Sequence, residues 1–159
     1  MSGVHEHGTP LARNRATSGA TGLADLLASM NPELSAEEVV FCSFRHASVG
    51  DELLRSASGF FREREGITLI LGRAEAERYG VPFHVTLRPI TLTVHSSLEA
   101  VGFTAAVASR LAAHGISANV VAAYYHDHIF VPASEAERAL QILQALQAEA
   151  SDRRRASSS

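Results

Sequence analysis

The chain reads as an α+β protein made of two diverged copies of one small unit, and three observations predict it. Between Ile90 and Val131, apolar residues first alternate, then recur at helical spacing, then form two further runs around a polar break. Past Pro132 a second amphipathic helix begins, which gives strand, helix, strand, turn, strand, helix. Residues 38–87 repeat that order in degenerate form and end on a further strand. Short strands interleaved with helices in this way build antiparallel sheets covered by helices.

Taken in order, residues 1–20 carry no periodic apolar face and are expected to form a disordered tail. Leu23, Leu26, Leu27 and Met30 have helical spacing, and Asn31-Pro32 should end that helix. Ser35 to Glu38 fits either a capping box or a turn into the next strand. Val39 to His46 alternates with apolar groups on both faces, as a strand between two layers does. Within it, Cys42 reads as a small core residue. A nucleophile needs a base beside it, and His46, four strand positions away, lies well over about 10 Å off. A short helix over Gly50–Ala57 precedes two strands, Phe60–Arg62 and Ile67–Leu71, joined by the polar turn Glu63-Arg64-Glu65-Gly66. Arg73–Gly80 is a charged helix.

The second unit opens on a strand with Ile90, Leu92 and Val94 on one face. A helix follows with a stripe of Leu98, Val101, Ala105, Ala108 and Leu111, stopped by Gly115. Ile116–Tyr125 is the next apolar run. His126-Asp127-His128 reads as the turn before Ile129-Phe130-Val131. Ser134 to Glu137 makes a capping box for a last helix that fades near Ala150, leaving residues 151–159 as a second disordered tail. The folded body thus divides into residues 21–87 and 88–150.

Composition narrows the function. The 159 residues are 46% hydrophobic, ordinary for a globular protein. With a single cysteine no intrachain disulfide forms, which suits a reducing compartment. No apolar run reaches membrane-spanning length, and the first twenty residues lack a secretory apolar segment, so a cytoplasmic protein is expected. Every basic residue is arginine. The two tails hold five arginines against two acids, net +3, so a total of −3 leaves −6 on the body. A body of that charge repels a phosphate backbone, and nucleic acid is not an expected partner. No Gly-rich phosphate loop, nucleophile elbow or paired CxxC is present, so no cofactor and no catalytic set are expected.

Gly102-Phe103-Thr104-Ala105, followed by Ser109-Arg110-Leu111-Ala112-Ala113-His114-Gly115-Ile116-Ser117, resembles the ACT-domain pattern. There a Gly-apolar-x-Ala opens a helix and Leu-Ala-x-x-Gly-Ile closes it into the next strand. VHSSLEAVGFTAAV, YYHDHIFVP and, upstream, FREREGITLIL are similar to motifs of small bacterial tandem ACT-like proteins, most without assigned activity. The resemblance covers about residues 23–148. It implies two ferredoxin-like βαββαβ halves with helices on one face of antiparallel sheets. It also implies a non-catalytic regulatory protein that binds a small molecule, an amino acid, at an interface of halves or subunits. One departure stands out: no strand follows the last helix, so the second half needs an edge from elsewhere in the chain or from a partner. That gap and the open sheet edges lead us to expect a homodimer.

The candidate site is the strand-to-helix loop with Ser96, Ser97, Leu98, Glu99, Val101, Gly102 and Phe103. Ser96 and Glu99 have capping-box spacing, which starts the helix near Ser97, whereas the ACT pattern starts it near Gly102. Either start aims backbone N–H groups at the strand end, a setting suited to a carboxylate. Gly102 admits close approach to the backbone. Glu99 would pair with an ammonium group, and Ser117 and Asn119 would line the same crevice. Arg62 would clamp a carboxylate between the halves, on the strength of the resembling motif. If these residues only cap and pack, the chain is a pure protein-interaction module. A third reading is a metal-dependent hydrolase on His126, Asp127 and His128, with His95, His84 or His114 as the missing ligand.

Overall fold

In the computed structural model, residues 22–45, 49–97 and 99–157 are described. The N-terminal half comprises β2 (Val39–Phe44), α2 (Asp51–Ser56), β3 (Gly59–Arg62), β4 (Ile67–Gly72) and α3 (Arg73–Arg78). The C-terminal half comprises β5 (Leu87–Leu92), α4 (Phe103–Ala113), β6 (Asn119–Ala122), β7 (Asp127–Pro132) and α5 (Ala136–Ser157). Ahead of both lie α1 (Leu23–Ser29) and β1 (Pro32–Leu34).

The halves repeat in register. Val39 pairs with Gly72 and Phe44 with Ile67 in the first, and Leu87 pairs with Pro132 and Leu92 with Asp127 in the second. Their hairpins match in the same way, Gly59 to Ile70 and Arg62 to Ile67 against Asn119 to Phe130 and Ala122 to Asp127. Rather than two sheets, the strands form a single antiparallel seven-stranded one, ordered β3-β4-β2-β5-β7-β6, with β1 also paired to β5.

That extra pairing supplies the strand the sequence lacked. β1 lies antiparallel to β5, Pro32 opposite Leu92 and Leu34 opposite Ile90, at the edge where the C-terminal half is one strand short. After a four-residue turn in which the Ser35 Oγ accepts from the Glu37 N–H, the chain meets β5 again at Val39 opposite Leu87. Arg88 holds the turn by donating twice to the Ser35 carbonyl and once to Glu137. Asn31, at φ 37°, turns α1 into β1, a backbone that asparagine tolerates better than most residues.

Helices cover one face. The larger core gathers Leu26 and Met30 from α1 with Ile90, Leu92, Phe103, Val107, Leu111, Ile129 and Leu143. A smaller one joins Val40, Cys42, Leu53, Leu69, Leu71 and Ala76. Cys42 is therefore a core residue whose thiol pKa burial pushes up, which leaves it unreactive. On the opposite face, Val39, Ile70, Leu87 and Phe130 form a narrow apolar strip, with Phe41 edge-on to Phe130 at 5.3 Å. Each large side chain buried here contributes roughly 1.5–3 kcal/mol.

Several local expectations are corrected. The capping box at Ser96 and Glu99 does not form, because the Glu99 N–H donates to the Ser97 Oγ within the loop. Gly102, at φ 88°, cannot continue a helix, so α4 begins at Phe103 with Phe103, Val107 and Leu111 as its buried stripe. Val101, read as part of that stripe, is 85% exposed, and Leu98 lies outside the described residues. At the other end, Gly115 (φ 74°) stops α4 as expected, with the Ile116 N–H reaching back to the Leu111 carbonyl.

The β6–β7 turn closes through the Ala123 N–H and the His126 carbonyl, so exposed Tyr124 and Tyr125 form its tip and Asp127 already belongs to β7. Ser134 caps nothing, since a 3₁₀ turn over Ala133–Glu135 leads into α5. Finally, α5 does not fade at Ala150 but runs to Ser157. Pairs Arg153–Glu149 and Arg155–Asp152 support it along the helix, and Arg154–Asp25 and Ser151 to the Ala28 carbonyl dock it on α1. No helix among the described residues is long and apolar enough to cross a membrane.

Candidate functional site

Residues directly opposite across a strand pair share a face, so Asp127, opposite Leu92, points to the helix side. There it takes a core position two residues before Ile129, and only 3% of it remains exposed. Ser96, from the loop after β5, is 8% exposed, and its hydroxyl favours the charged form of that carboxylate. These two are the buried polar side chains among the described residues, and both line one cavity of about 110 Å³. Ser97 and Ala100 complete its loop wall, Phe103 and Thr104 present the first turn of α4, and Ala122 closes the side toward β6. No side chain caps the α4 N-terminus, so its first N–H groups lack the usual side-chain acceptor. Larger grooves lie between α1 and the end of α5 and beside α4, but they are open depressions lined by ion-paired arginines and contain neither buried polar residue.

Burial raises the Asp127 carboxyl above the ordinary carboxylate range, while His128, the Ser96 hydroxyl and His126 pull it partly back. His128 is lowered, first by burial and then by His126, with Asp127 acting the other way. Its Nδ1 lies 3.0 Å from the Thr91 Oγ1 on the helix-free face, opposite to the side Asp127 faces.

The site residues anticipated from sequence divide accordingly. Ser96, Ser97 and Phe103 meet in the cavity, and Gly102 caps the helix beside it. Glu99 and Val101 are exposed on the loop and do not line it. Ser117 is exposed, and Asn119 pairs with Phe130 and so sits on the helix-free face. Arg62 ends β3, at the far edge of the sheet from β6. For the hydrolase reading, no group of three His, Cys, Asp or Glu side chains able to hold a metal occurs among the described residues. His126 contacts the Val94 carbonyl, His114 caps α4 through the Arg110 carbonyl, and His95 stacks on Tyr125 at 5.3 Å.

Sequence reasoning assigned Asp127 to a turn and missed its place in the cavity. The signal was its period-two spacing with Ile129 and Val131, which puts all three on one face.

The described residues thus form an in-register tandem repeat with a small polar cavity beside a helix N-terminus. The chain belongs to the ACT-domain family: ACT-domain profiles match residues 18–88 and 86–145 in tandem. A crystal structure of a Vibrio cholerae protein of unknown function, described as a possible transport protein, is similar at 49% identity and TM-score 0.70, over 79% of this chain and 95% of that one. An Agrobacterium tumefaciens protein shares the fold at 13% identity and TM-score 0.60, over 73% of this chain and 87% of that one. The ligand-free regulatory subunit of aspartate kinase from Thermus thermophilus does so at 8% identity and TM-score 0.56, over 74% and 97%. No protein of curated function matches the sequence.

A pH dependence follows. Between the ordinary carboxylate pKa and the raised one of Asp127, the folded chain keeps a proton that the unfolded chain has released, so this residue's contribution falls as pH rises. The variant Asp127→Asn, which cannot ionise, is expected to melt above the parent at pH 7. The gap should narrow toward zero as pH drops below about 3, where the unfolded carboxyl is also protonated. Melting curves across that range check it, and an Asn variant less stable than the parent at pH 7 would show that the charge is stabilised in place.

Proposed function

We propose that this protein is a non-catalytic regulatory module that binds an amino acid in the cavity beneath the β5–α4 loop. The observation that carries the reading is that both buried polar side chains, Ser96 and Asp127, face one cavity next to an uncapped helix N-terminus. A carboxylate acceptor on one wall and helix N–H donors on another match the two ends of a zwitterion. Solved relatives of the fold include regulatory subunits of aspartate kinase, and an Escherichia coli aspartokinase III complexed with aspartate and ADP. Binding then acts by favouring one arrangement of the loop and of any partner seated on it.

A thermal-shift screen against the twenty amino acids tests this. At a hundred times its dissociation constant a ligand stabilises by about 2.7 kcal/mol, several degrees for a chain of this size. One amino acid should give such a shift, and Ala122→Leu, which fills the cavity from an exposed edge position, should abolish it. A panel with no shift would remove the amino-acid reading and favour a protein-interaction module, for which exposed Phe60 and Phe61 on the open edge β3 are the specific feature.

That edge also underlies a homodimer. β1 supplies the missing strand from within the chain, so the remaining motive is the pair of open edges, β3 and β6. Sedimentation should show a concentration-dependent dimer that Phe61→Glu dissociates, whereas a monomer at every concentration would contradict it.

A further inference from the structure

We propose that Asp127 is the residue that reads a ligand's ammonium group, and that the N-terminal half has no counterpart, so each chain takes one cationic or zwitterionic ligand. This rests on the cavity being a ligand site and narrows which ligands enter it and where.

Asp127 opens β7 on the face shared by Leu92 and Ile129, both fully buried. Its counterpart in the in-register repeat is Ile67, opposite Phe44. The same backbone geometry thus accepts an aliphatic side chain, which a core face prefers. Burying a carboxylate there opposes folding unless something compensates its charge.

Compensation from within the chain is incomplete. The other cavity walls contribute Ser96, Ser97, Thr104 and apolar groups, none of them cationic. The ion pairs among the described residues engage arginine with other acids. The Ser96 hydroxyl, His128 and His126 offset the cost of burying the carboxylate only in part, and His128 does so from a strand position facing the opposite side. A cavity of about 110 Å³, with room for three to four waters, therefore presents a buried carboxylate and, among the described residues, lacks the cation to match it. A primary ammonium supplies the charge and three donors. Glu99, expected from sequence to take this role, is exposed on the loop instead.

The N-terminal half differs at two described features of the site. Ile67 replaces the carboxylate, and α2 has six residues where α4 has eleven. The two ACT domains are therefore specialised, one for the ligand and one for building the sheet.

Backbone-amide NMR on the full chain tests this with methylammonium chloride, sodium acetate and glycine at constant ionic strength. Methylammonium should shift the Ser96, Ser97 and Thr104 amides saturably, with binding weakened at least tenfold in Asp127→Asn and in Ala122→Leu. Acetate should give no saturable shift, and amides around Ile67 should not respond. Methylammonium binding unchanged in Asp127→Asn, or saturation around Ile67, would overturn the inference. An amino acid from the thermal screen that binds Asp127→Asn as tightly as the parent would overturn it while leaving the amino-acid reading intact. Methylammonium binding lost in Asp127→Asn, with no amino acid shifting the parent, would uphold it and replace amino acids by simple amines.

Discussion

The antiparallel pairing of Pro32–Leu34 with Ile90–Leu92 is the contact on which the C-terminal half depends. Without it β5 would expose its edge N–H and C=O groups beside the larger core, and α1 would lose the strand that anchors its C-terminal end to the sheet. With it, Leu26 and Met30 close that core, and the Gln147 and Ser151 side chains tie α5 to the Ala28 carbonyl. The chain then continues almost in line into β2, so one bent run of backbone closes one half and opens the other. The two halves consequently share a sheet, and moving β1 would be felt in both.

Within that frame the repeat explains the site's asymmetry. Identical pairing registers put Phe44 and Leu92, and Ile67 and Asp127, in matching places, so the halves differ by side chain and helix length rather than by backbone plan. The N-terminal half uses its position for core and keeps a short helix. In the C-terminal half, Gly102 at positive φ delays the helix and leaves a loop that wraps over Asp127. A buried acid is a local conflict with the fold, and such conflicts concentrate where a protein binds something.

Much of this was legible in the chain itself. Two-faced apolar alternation marked β2 as a strand between layers, Gly115 ended α4, and the Glu63–Gly66 turn joined β3 to β4, because each signal is local. The start of α4 was harder to read. Leu98 and Val101 continue the helical spacing backward across Gly102, so periodicity alone extends the helix into a loop. Likewise His126-Asp127-His128 has the polarity of a turn, and only pairing to β5 shows that Asp127 faces the core while His128 faces away. β1 is three residues long and begins with proline, so nothing local announces a strand whose partner lies far along the chain. Of the site, Ser96, Ser97 and Phe103 were found by loop position, while Asp127 emerged only from the sheet register.

The most direct test is a crystal structure of the full chain grown from a mixture of the twenty amino acids. The account predicts one amino acid per chain beneath the β5–α4 loop, its ammonium within hydrogen-bond reach of the Asp127 carboxylate and its carboxylate toward the first turn of α4. An amino acid seated elsewhere, against the N-terminal half near Ile67 or at a subunit boundary without contact to Asp127, would contradict it.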